Sequence, residues 1–151
     1  MLDLYHGTAA RYAATIRENG IDLTYGRPDA DFGKGFYVTD NLEQAREWMK
    51  HQSHGEPGAV LHYRVPANEL HELSGRSFSE PDAAWQDLVR AMRAQTAPLH
   101  PYNWVEGPLL LNPQDFLKGK SPVTGGHQIS VHTPDAVDLL NRNLTEHGAA
   151  H

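Results

Sequence analysis

An α+β fold with a mostly antiparallel sheet is what the sequence predicts, and three observations carry that prediction. Segments with the two-residue alternation of strands are mixed with segments of helical spacing, without the regular βαβ rhythm of a parallel sheet. Glycine and proline mark the junctions between them. The 151 residues suffice for one domain with a real core and contain neither repeats nor a low-complexity linker, so residues 1–151 are read as one domain.

LDLYH (2–6) alternates apolar and polar residues and reads as the first strand. Thr8 is placed to cap a helix from about Ala9 to Asn19, stopped by Gly20. Residues 20–35 hold four glycines and a proline and should loop, with a short strand at IDLTY. GFYVT (35–39) is the next strand. Asp40 and Glu43 have capping-box spacing and start a helix through Leu42, Ala45, Trp48 and Met49. After a GEPG turn (55–58), AVLHYRV (59–65) alternates along its whole length. Ser79-Glu80 followed by Pro81 opens a helix to about Gln95. PYNWVEGPLLLN reads as a strand on each side of Gly107-Pro108, and KGKSPVTGG (118–126) as a loop. HQISVHT (127–133) is the final strand, and Thr133-Pro134 starts a helix through Ala136, Val137, Leu139 and Leu140.

Composition narrows the function classes. Hydrophobic residues at 39% and charged residues at 21% fit a globular chain. No apolar run approaches the roughly 20 residues of a membrane span, and MLDLYHGTAARY lacks the pattern of a secretory leader, so a cytoplasmic protein is expected. Cysteine is absent, which removes disulfides, thiolate zinc sites and a cysteine nucleophile. A net charge of −6 disfavours binding nucleic acid through phosphates alone. The ten histidines have no metal-motif spacing, and no metal is expected.

Two stretches carry chemistry. In YHGT (5–8), a histidine at a strand end precedes a glycine whose backbone a ligand can approach closely. A structural histidine before a turn fits the same residues. In DFGKGFYVTD (31–40), Gly33 and Gly35 let the chain bend into a strand whose Phe36 and Tyr37 point to opposite faces. A tyrosine on an open face can stack on a flat heteroaromatic ring, although both aromatics could simply pack.

Together, YHGT and FGKGFYVT resemble the diphtheria-toxin and poly(ADP-ribose) polymerase branch of the ADP-ribosyltransferases, whose signature is His-Tyr-Glu. The chain is more closely similar to an uncharacterised bacterial family assigned to that fold, at YHGT, DFGKGFYVTDNLEQAREW, a VxGPL-like segment and QISVHTPDAVDLL. Residues 66–100 lie outside the resemblance. It implies an ADP-ribosyltransferase-like split antiparallel sheet with peripheral helices. It further implies that His6 bonds a hydroxyl of the nicotinamide ribose of NAD, the Gly7 backbone grips the carboxamide and Tyr37 stacks on the nicotinamide ring. Trp48 would complete the sandwich, with Thr8, Gly35 and Phe36 in the cofactor-binding set.

The chain departs from that branch at two positions. Ala45 stands where polymerases carry a carboxamide-binding serine. Gln128 stands at the signature glutamate, keeping a hydrogen bond but not the charge that stabilises the departing nicotinamide's positive partner. Losing one such interaction typically costs on the order of 10²–10³ in rate. Glu106 is the nearby acid that could stand in, and Arg27 or Lys34 could anchor the pyrophosphate. The implied activity is mono-ADP-ribosylation of a protein, nucleic acid or small molecule, with His6, Tyr37 and Gln128 as catalytic residues. A bacterial toxin, which would imply a neutralising antitoxin or immunity protein, and an antibiotic-modifying enzyme are variants of it. The competing reading is a catalytically degenerate module that binds NAD or ADP-ribose.

Overall fold

The computed structural model describes residues 1–145. It is an α+β structure, with two sheets and six α-helices among the described residues. Strand β1 (Leu2–Ala9) pairs antiparallel with β3 (Gly58–Val65) along its full length. The second sheet has the order β2-β6-β5-β4, formed by β2 (Phe36–Val38), β6 (Thr124–Val131), β5 (Trp104–Leu110) and β4 (Gly75–Ser77). One bridge joins the sheets: Tyr5 and Thr39 exchange backbone hydrogen bonds of 2.7 and 2.9 Å. The helices are α1 (Ala10–Asn19), α2 (Leu42–Ser53), α3 (Ala67–Glu72), α4 (Ala83–Arg93), α5 (Pro113–Leu117) and α6 (Pro134–Asn141).

Local chemistry explains both the agreements and the differences. Gly20 ends α1 with φ 83°, and the Thr133 hydroxyl caps α6 with a proline in the first turn, as their residue types require. Thr8 does not cap α1, because β1 continues through it and no side chain caps that helix. Asp40 does not cap α2 either. Asn41 accepts the Gln44 amide instead, and Glu43 pairs with Arg46 rather than reaching back. Asp82, not Ser79, caps α4 through the Trp85 amide. IDLTY is no strand: the Asp22 carboxylate takes the Thr24 amide and hydroxyl, folding Leu23–Tyr25 into a 3₁₀ turn. β5 runs unbroken through Gly107-Pro108, with its irregularity between Pro108 and Leu110. The pair β4–β5 is parallel, within a sheet otherwise antiparallel.

The core falls into two clusters on opposite faces of the second sheet. Leu4, Leu61, Tyr63, Phe36, Val131 and Leu140 belong to the larger. Phe32, Phe78, Trp85, Val89, Val105 and Phe116 belong to the smaller, with Tyr37 packed against it. The opposite orientations expected of Phe36 and Tyr37 are therefore realised, but both faces are covered. Where the bridge ends and β1 and β2 part, the two clusters leave a gap.

Candidate functional site

That gap is the mouth of a cavity of about 500 Å³, within the roughly 300–1,000 Å³ of small-molecule sites. The residues singled out in the sequence gather there. His6, Gly7 and Thr8 come from β1, Gly35 from the loop before β2, and Phe36 and Tyr37 from β2 itself. Trp48 comes from α2 and Gln128 from β6. Positions up to 122 residues apart in the chain thus line one space.

The register explains why the sheet opens at this point. In antiparallel pairing, backbone groups two residues apart face the same edge. The N–H and C=O of Tyr5 face β2 and bond Thr39, so those of Gly7 face the same edge. A continuous sheet would pair them with Tyr37. Instead the His6 ring intervenes, and its Nδ1 bonds the Tyr37 carbonyl at 2.7 Å. Because a carbonyl only accepts, Nδ1 carries the proton, and Nε2 is left as an acceptor. Burial pushes the His6 pKa down to about 4, opposed by that same carbonyl, and the imidazole is neutral near pH 7. Its ring stacks on Phe36 at 4.0 Å.

Gly7 has a second reason to be glycine. A Cβ there would lie 1.9 Å from the Ala45 carbonyl oxygen and 2.8 Å from the Met49 amide, both backbone atoms of α2. The glycine brings α2 onto β1 and with it Trp48, which is half-buried and forms no aromatic pair among the described residues. Ala45 is fully buried beneath this contact and does not line the cavity.

Tyr37 is more constrained than an open-face tyrosine. Its hydroxyl donates to the Gly33 carbonyl at 2.7 Å and accepts the Phe32 amide at 2.9 Å, so the DFGKG loop folds around it. Burial, above all, raises its pKa, and it has no role as an acid or base near neutrality. Gly33 has φ 86°, the backbone freedom that the loop demands. Below Tyr37, His132 bonds the Lys34 carbonyl through Nδ1 and Ser130 through Nε2, and burial pushes its pKa down to about 4.

Gln128 is buried, and its Nε2 donates to Asp31 Oδ2 at 2.8 Å. Asp31, only 3% exposed, also accepts the Arg93 Nε at 2.6 Å and the Leu110 amide at 3.0 Å. Arg93 in turn holds the Asp29 carbonyl. Both Asp31 and Arg93 line the cavity, and the sequence reading missed both. A signal for Asp31 existed: it opens DFGKGFYVTD, with Ala30 and Phe32 on either side of it. Arg93 lies 62 residues from its partner in a segment without recognisable motif, and no spacing rule reaches it.

The other sequence expectations divide. Arg27 lines the cavity but is engaged with Asp29 at its exposed rim. Lys34 does not line it. Glu106 does not stand in for Gln128. In the β5–β6 register Gly107 opposes Gln128 and Glu106 opposes Ile129, so Glu106 lies on the other face, bonded to Ser77 and near His127. Among the described residues, no cluster of three or more histidines and acids could hold a metal, and no helix is long and apolar enough to cross a membrane.

The family model described as "Protein of unknown function (DUF3990)" matches residues 2–112, and the chain belongs to that family. The match runs from β1 through β5 and stops short of Gln128. No curated protein matches the chain.

Proposed function

We propose that this chain is an NAD-dependent mono-ADP-ribosyltransferase with an ADP-ribosyltransferase-like split sheet. The observation that carries the reading is the opening between β1 and β2. A neutral His6 and a Gly7, whose Nε2 and outer edge respectively are unpaired among the described residues, border it with Tyr37, Trp48 and Gln128. Nicotinamide would lie against Tyr37 and Trp48, with its carboxamide on the N–H and C=O of Gly7. A ribose hydroxyl would donate to His6 Nε2. The glycosidic C–N bond breaks with its electron pair passing to nicotinamide, which leaves neutral. The oxocarbenium-like ribose is then attacked by a lone pair of the acceptor, whose proton goes to solvent. Arg93 and Arg27 are the cations within reach for the pyrophosphate. The acceptor is a protein, nucleic acid or small molecule, the site of action is the cytoplasm, and a toxin role would bring a neutralising partner protein.

The test is nicotinamide release from NAD by the purified chain, with NAD binding followed by calorimetry. His6→Ala and Tyr37→Ala should each lower release on the order of 10²-fold or more, the scale of losing a positioned transition-state contact. Binding of NAD without release favours the second reading, an NAD or ADP-ribose binding module, whose support is the neutral amide at Gln128. Neither binding nor release would overturn both.

A further inference from the structure

The neutral Gln128 is one half of a buried pair, and its partner carries a charge. Asp31 Oδ2 receives the Gln128 amide N–H at 2.8 Å, while its Oδ1 is held by Arg93 at 2.6 Å. An ionised carboxylate only accepts, so it fixes which end of the amide it meets. The NH₂ is turned to Asp31, and the carbonyl Oε1, which takes no donor among the described residues, is left for the cavity that Gln128 lines. Leu110 N–H and Arg93 lock Asp31 from the other sides.

We infer that Asp31 is the positioning residue of this site, orienting Gln128 as an acceptor toward a substrate hydroxyl and excluding a glutamate from that position. The inference deepens the transferase reading and rests on it for the identity of the substrate. The charge absent from position 128 sits one hydrogen bond further in, on Asp31. A carboxylate at 128 would face Asp31 at hydrogen-bond distance, where two like charges cannot both ionise. Restoring the signature acid alone is therefore harmful in this chain, contrary to what the motif by itself suggests.

The experiment is a double-mutant cycle: wild type, Asp31→Asn, Gln128→Glu and Asp31→Asn/Gln128→Glu, with NAD as ligand. Nicotinamide release and the thermal midpoint are read from about pH 4 to about pH 8, spanning the carboxylate range. Gln128→Glu should release nicotinamide at least ~10-fold more slowly than wild type near pH 7 and recover as pH falls. Once protonated, a carboxyl at 128 donates to Asp31 as the amide does. The folded pKa of that carboxyl is raised above its unfolded value, so stability is retained below the unfolded pKa and lost as pH rises through the folded one. The charged and titratable groups beside the pair are Arg93 from α4 and Tyr37 from β2, with His6 from β1 and Arg27 on the same cavity; His6 and Tyr37 stay neutral across most of this window.

Asp31→Asn alone should slow release at least ~10-fold, and the double variant should recover to within about 10-fold of wild type, because an amide at 31 can donate to a carboxylate at 128. Faster release by Gln128→Glu with an unchanged melting profile would overturn the inference. So would a double variant no better than the worse single in both readouts. If wild type releases no nicotinamide, the transferase reading fails, and the melting profiles still decide the pairing: a pH-dependent loss in Gln128→Glu, abolished in the double variant, upholds it, and a flat profile refutes it.

Discussion

At Gly7 two demands meet in a single residue. Its backbone edge faces the cavity, while its missing Cβ makes room for the Ala45 carbonyl and the Met49 amide of α2. The second demand is the stronger, because both obstructing atoms are backbone and cannot swing aside. Gly7→Ala should therefore destabilise the chain by about 1–3 kcal/mol or more, seen as a lower urea midpoint. An unchanged midpoint would mean that α2 yields at no cost and that packing does not dictate this glycine. The same residue shows what was legible. His6, Gly7 and Tyr37 could be singled out because they sit in short motifs whose chemistry is local. Arg93 and the orientation of Gln128 could not, and Asp31, though it opens a motif, did not show its role, since these depend on pairings 62 and 97 residues apart. The tethered Tyr37 hydroxyl was hidden for the same reason. Which loop atoms return to it depends on the left-handed turn at Gly33.

Among the elements, helix starts expose the limit of pattern reading most clearly. Asp40 and Glu43 have the spacing of a capping box, yet Asn41 supplies the cap. One residue of phase decided it. Asn41 donates its own backbone N–H to the Thr39 hydroxyl at 3.1 Å, which fixes the chain's entry one residue later. Asn41→Ala should cost about 1 kcal/mol, whereas exposed Asp40→Ala should fall within about 0.5 kcal/mol of wild type. Paired chemical-denaturation curves decide between them, and the reverse ranking would restore Asp40 as the cap. Long periodic elements such as α2, β3 and α6 were visible in the sequence. Helices α3 and α5 and strand β4, of six, five and three residues, were not, because they are shorter than the window in which periodicity can be measured. β4 pairs in parallel across an intervening helix, a contact that only tertiary structure supplies.

Across the whole molecule, the two sheets meet at the Tyr5–Thr39 bridge, and the cavity begins where that pairing stops. Thr39 binds more than its strand partner. Its hydroxyl donates to the His127 carbonyl of β6 at 3.0 Å and accepts the Asn41 amide at the start of α2. One fully buried residue, through its backbone and its side chain, thus links β1, the β2–β6 sheet and the helix that carries Trp48. Thr39→Val keeps the shape and removes both bonds, leaving the Asn41 amide without its partner, while the His127 carbonyl keeps the Gln44 Nε2 donor at 2.9 Å. The cost should be about 1–3 kcal/mol, the scale of a buried polar group left unmatched. The loss should be concentrated at the seam. Hydrogen exchange at Tyr5 and Thr39 should accelerate relative to wild type, while amides in the middle of β3, paired to β1 along its length, should follow only the global change. Because the cavity borders both sheets, the proposed NAD site predicts that affinity for NAD should fall together with seam protection. Uniform acceleration throughout the chain would instead assign Thr39 to the general core and leave the seam with no separate mobility.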